Sequence, residues 1–165
     1  MVYFLGDFGL IEPHIDEEAE EARKTARRSR KHYLRIEGSR FFKEKVRQAL
    51  KLVKTAGYYD FLRTHIRCIK EIDGLTQLRV SEATIWANKY AVENPVDAAS
   101  RFIQEACYMQ IHAEGERYHE GMLEFRSFEK RIEFLKKLKK KSRKQNVKRD
   151  CEKLIKMWNE SLLVY

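Results

Sequence analysis

Apolar residues recur along most of this chain every three or four positions. Phe42, Val46, Ala49, Leu50 and Val53 form one such stripe. It predicts a helix entered through the break and N-cap at Gly38-Ser39 and left through a C-cap at Gly57. Leu62, Ile66, Ile69 and Ile72 keep the same period, which predicts a helix from about Tyr59 to Ile72, ended by Gly74. Ser81 suits the cap of a short helix over roughly 82–92 that carries Ile85, Trp86 and Tyr90. Asn94-Pro95 then opens a longer one through Phe102, Ala106, Met109 and Ala113, reaching His119. Phe125, Phe128, Ile132, Leu135 and Leu138 mark the next, and Val147, Cys151, Leu154, Ile155, Trp158 and Leu162 the last. Residues 15–35 are rich in Ala, Glu, Lys and Arg, with acids first and bases later, an order that suits a helix dipole.

Past residue 12 no segment alternates apolar and polar positions long enough to predict a strand, and only Val2–Leu5 is short and extended in character. The expected fold class is therefore all-α: a single helical domain over 1–165, with about six or seven helices and an extended segment at 1–14. Its centre is expected to be a long antiparallel pair, from about Asn94 to His119 and from Met122 to Leu138.

Composition supports a folded chain. Of 165 residues 43% are apolar, while 7 Gly and 2 Pro are too few for an all-β fold built on tight turns. No apolar run reaches the length of a membrane span. Cys68, Cys107 and Cys151 are odd in number and widely spaced, so a disulfide framework is not expected. The apolar start, Met1–Ile11, lacks Lys and Arg and is interrupted by Asp7, unlike a secretory signal. The expected setting is cytoplasmic, with reduced, buried thiols.

Charge changes the picture most. The net charge is +9, but it is unevenly placed. Residues 1–21 hold seven acids and no Lys or Arg, and residues 55–125 hold 11 acids and 7 bases. Between and after them, residues 22–54 hold 13 bases and 2 acids, and residues 126–156 hold 14 bases and 4 acids. Two basic blocks of this strength point to an anionic partner, and a nucleic acid, RNA or DNA, is the expected one. The residues singled out as phosphate contacts are Arg23, Arg27, Arg28, Arg30, Lys31, Arg35 and Arg40 in the first block. In the second they are Lys136, Lys137, Lys140, Arg143 and Lys144. Tyr33, Phe41 and Phe42 adjoin the first block and offer rings for stacking on unpaired bases. A solvated helix face neutralised by the chain's own acids would carry the same charges.

Three local patterns bear on chemistry. Leu75–Ile85 resembles the turn and recognition-helix start of helix-turn-helix DNA-binding modules, which implies a helix from Ser81 onward entering the major groove. Arg79 stands where those modules place a glycine, and Asn88 where they bury an apolar residue. His112, Glu116 and His119 fall within about 60° of one face if a single helix runs through them, a competent donor set for iron, manganese or zinc. Glu116-x-x-His119 also has the spacing used by ferritin-like di-metal bundles, although the second such pair is missing. Arg27 and His32 match the spacing of one motif of helical RNases.

No glycine-rich phosphate loop, nucleophile elbow or Cys-x-x-Cys pair names a reaction. The leading expectation is a non-enzymatic protein that binds phosphate backbone through residues 22–54 and 126–156, without a cofactor. One alternative is an interaction scaffold, with a protein partner or a second copy docking on the exposed ends of amphipathic helices 122–138 and 147–162. The other is a metal-binding bundle using His112, Glu116 and His119.

Overall fold

The computed structural model describes residues 33–115 and 120–163. Arg35–Glu37 form a strand (β1), followed by helices α1 (Arg40–Thr55) and α2 (Tyr59–His65). Three more strands come next: β2 (Cys68–Glu71), β3 (Gln77–Arg79) and β4 (Thr84–Ala87). Helices α3 (Pro95–Ala113), α4 (Glu120–Lys141) and α5 (Gln145–Leu162) complete the chain. The sheet order is β1-β2-β4-β3, parallel except for β3, which runs against β4. The fold is α+β, with a four-stranded mixed sheet and five helices among the described residues.

The all-α bundle of six or seven helices is thus overturned, and the reason lies in three short stretches. Ile66 and Ile69 continue the stripe of α2, yet the chain turns extended at Ile66, with φ −117 and ψ 129, and Ile69 enters β2. Strands of three or four residues hold too few positions for a period of two to emerge. Residues 82–92 contain strand β4 between two single 3₁₀ turns, Val80–Glu82 and Lys89–Val92. Leu75–Ile85, similar in sequence to a helix-turn-helix, holds β3, a tight turn through Ala83 at φ 47, and the start of β4. Val2–Leu5 and residues 15–32 lie outside the described residues.

Strand pairing lays an apolar row across the sheet. Ile36, Ile69 and Ile85 stand side by side, with Leu78 opposite Ile85. All four pack into the main core. Against this row α1 sets Phe42, Val46, Ala49, Leu50 and Val53, held in place by the Ser39 hydroxyl, which accepts the Phe42 N–H at 3.2 Å. Phe102 and Ile103 of α3 and Phe134, Leu135 and Leu138 of α4 complete the centre, each almost fully buried. The opposite sheet face carries Arg35, Glu37, Lys70, Arg79 and Trp86, with the Arg79 guanidinium 4.1 Å from the Trp86 ring.

A buried cation fixes α4 on α3. Arg131 is 3% exposed. Its three nitrogens donate to Ser100 Oγ (2.8 Å), Gln104 Oε1 (2.7 Å) and Asp97 Oδ1 (2.6 Å), and its plane lies 4.2 Å from the Trp158 ring of α5. Toward the other end, Cys107 meets the Arg126 carbonyl and Ile111 meets Leu123, so α3 and α4 run antiparallel. Burial brings the Arg131 pKa down to about 10, an effect that Asp97 opposes, and the group stays charged at neutral pH.

Two stability measurements check this core. Phe134→Ala should cost about 3–5 kcal/mol in denaturant unfolding, and Phe128→Ala, on a half-buried ring stacked on Trp158, should cost less. Arg131→Ala should cost about 2–4 kcal/mol, below the dry limit because Asp97 reaches solvent.

Candidate nucleic-acid interface

The first basic block becomes a stripe once α1 is wound. Arg40, Lys43, Arg47, Lys51 and Lys54 recur at steps of three and four, which confines them to an arc of about 80° over about 21 Å. All but the half-buried Lys43 are exposed. Glu44, beside the stripe, is the one acid in α1.

At its C-terminal end the stripe meets the second block. Gly57 turns the chain at φ +80, and a Cβ there would lie 3.4 Å from Lys141 Nζ. A cation at this point faces the negative pole of α1, which favours the contact. Tyr58, buried next to that glycine, ties the turn to α4: its hydroxyl donates to Glu133 Oε1 at 3.0 Å and its ring meets Phe134 edge-on at 5.4 Å. Lys130 and Lys137 lie 5.5 and 5.8 Å from the same ring. On the other flank Lys51 and Lys144 share a cleft of about 390 Å³ between α1, the start of α3 and the start of α5, walled by Leu52, Pro95, Val96 and Val147, with Asp150 at its edge. Helix α5 begins with no side-chain cap and no acid in its first turn, so its N-terminal partial charge adds to that of Lys144.

The acids of the described residues take few of these cations. Lys139 pairs with Glu152 at 3.1 Å and Lys130 with Glu133 at 3.4 Å. Lys51, Lys54, Lys136, Lys137, Lys140, Lys141, Arg143 and Lys144 have no carboxylate of a described residue within 4.0 Å. Like charges thus gather where two helix ends and one helix start converge, and the whole remains in water, which screens their repulsion.

Of the residues picked out from the sequence, Lys136, Lys137, Lys140, Arg143 and Lys144 are exposed on the last turns of α4 and the link to α5. Arg40 opens the stripe on α1, whereas Arg35 stands on the outer sheet face, away from it. Arg23, Arg27, Arg28, Arg30, Lys31 and His32 lie outside the described residues. Lys43, Arg47, Lys51 and Lys54 join Arg40 in the stripe, and their three-and-four spacing in the sequence carries the signal. Phe42, expected as a stacking ring, is fully buried.

Of the histidine face, only His112 lies among the described residues. Helix α3 ends at Ala113 and Gly115 adopts φ +68, so one helical face does not continue from His112. His112 itself rests against Tyr108, ring centroids 4.9 Å apart, while Glu116 and His119 lie outside the described residues. Among the described residues no group of three His, Cys, Asp or Glu is placed to hold a metal. A second hollow, of about 460 Å³ at the carboxyl ends of β2 and β4, mixes Asp73, Lys89 and Tyr90 with Glu71, whose carboxylate already accepts the Ser39 N–H and hydroxyl at 3.0 and 3.1 Å.

No family model, curated protein or solved structure matches this chain. No helix among the described residues is long and apolar enough to cross a membrane.

The Tyr58 tether has a pH signature. Burial, then the Glu133 carboxylate it donates to, push the phenol up to about 12 from 10. The neutral phenol is the form the fold prefers, so its contribution to stability is full below pH 10 and is lost as the pH climbs toward 12. Ultraviolet titration should show this tyrosine ionising near pH 12, and Glu133→Gln should lower that value.

Proposed function

We propose that this α+β protein binds the phosphate backbone of nucleic acid along the ridge formed by α1 and the α4–α5 junction. The observation that supports this is convergence. Lysines far apart in sequence, Lys51 with Lys144 and the Gly57 turn with Lys141, come together, and the described acids leave them unpaired. Phosphate binding asks for several cations in reach of successive charges, with water free to leave and counterions to be released. A solvated face neutralised from within would place carboxylates between them, and of the ridge lysines Lys139 and Lys130 are so paired among the described residues. The contacts are to backbone and carry little sequence information. The protein acts by binding, and no reaction is assigned to it.

Binding to a labelled nucleic acid, measured by anisotropy across a salt series, tests the proposal. Affinity should fall steeply with salt, with a log–log slope of about −0.9 for each duplex phosphate neutralised. Lys51→Glu combined with Lys144→Glu should weaken binding by at least about tenfold and flatten that slope by about two to four, since each change removes a cation and adds an anion. Affinity indifferent to salt, or to this pair, would refute a phosphate-driven interface.

A further inference from the structure

We infer that the partner of this ridge is the outer backbone of a paired duplex and not an unpaired strand, an inference that rests on the phosphate-binding reading above. Unpaired strands are held by a charged groove together with rings on which successive bases stack, and stacking needs an open ring face. The described rings where α1 meets α4 are closed. Phe42 and Tyr58 are buried in the core, at 0% and 7% exposure. What remains of Tyr58 is covered by Lys130 and Lys137 and its hydroxyl is held by Glu133. Tyr59, half-buried, lies under Lys54 at 4.5 Å and Arg63 at 5.8 Å. The cations that would attract the strand therefore occupy the faces on which its bases would rest.

The hollow within the ridge points the same way. The cleft shared by Lys51 and Lys144 has aliphatic walls and no aromatic residue, so a flipped-out base would find no platform there. The cations of α1 stand on a convex helical rod. Along α1 each advances about 4.5 or 6 Å on the one before. A rod of this kind lies along a regular backbone, whose charges are fixed in position by the duplex. It cannot wrap a flexible strand. The shared chemistry is the paired phosphate backbone, and DNA and RNA duplexes both present it.

Phe41 gives the discriminating variant. It is 51% exposed, adjoins the stripe at the N-terminal end of α1, and has Lys45 5.6 Å from its ring centre. With Tyr33, 85% exposed, it is the ring through which an unpaired strand would have to be held. Full-length protein is titrated into labelled duplexes of about 20 base pairs, one DNA and one RNA, and into an oligouridine of about 20 nucleotides, at moderate salt. Either duplex should bind at least about tenfold tighter than the single strand, and Phe41→Ala with Tyr33→Ala should leave duplex affinity within about twofold. A single strand that binds as tightly as duplex, or that loses about tenfold on those two changes, overturns the inference while leaving phosphate binding intact. Failure of both duplexes and the single strand to bind at low salt overturns the phosphate reading itself.

Discussion

One buried guanidinium decides how the helical layer is assembled. Arg131 reaches from α4 to three side chains spaced along α3, Asp97, Ser100 and Gln104, while Trp158 of α5 closes over it. A cation this deep is tolerated only when its donors are met, and here three of its nitrogens are. The geometry is selective, because the fork of the guanidinium matches acceptors at one axial position of α4 against α3. Sliding α4 by a single turn would leave both the cation and its partners unsatisfied. Apolar packing of Phe134, Leu135 and Leu138 supplies the adhesion, and Arg131 sets the register.

From that register follows the position of the charged end of α4. Its last two turns run past the C-terminus of α1, where Tyr58 locks against Phe134 and Glu133. The lysines beyond are carried to this point by packing, against their mutual repulsion. Three circumstances reduce the cost: the site is exposed, Lys141 sits at the negative pole of α1, and Tyr58 and Tyr59 offer ring faces to four cations. Gathering cations that no described acid pairs contributes nothing to folding, which supports the binding role proposed for them.

The sheet plays a supporting part. Its inner row of Ile36, Ile69, Ile85 and Leu78 shares one core with the apolar face of α1, which leaves the basic stripe of α1 turned outward. The stripe and the apolar stripe are two readings of one helical period, so any change that tilted α1 to improve one would misplace the other.

The amphipathic helices α1, α3, α4 and α5 are legible from local pattern. The stripe from Phe42 to Val53, the Ser39 and Asn94 caps and the two basic blocks are local features, set by residues within a turn or two of one another. The all-α expectation failed where local signals are weakest, in strands of three and four residues whose partners lie elsewhere in the chain. Ile69 suits the helical period as well as it suits a strand, and only pairing with Ile36 and Ile85 made it a strand. The candidate interface was legible as charge but not as a place. No spacing relates Lys51 to Lys144, or Gly57 to Lys141, since each pair is joined through the packing of α1, α4 and α5. Tertiary structure alone decided which cations meet and which rings stay open, because both depend on which faces the core had already consumed.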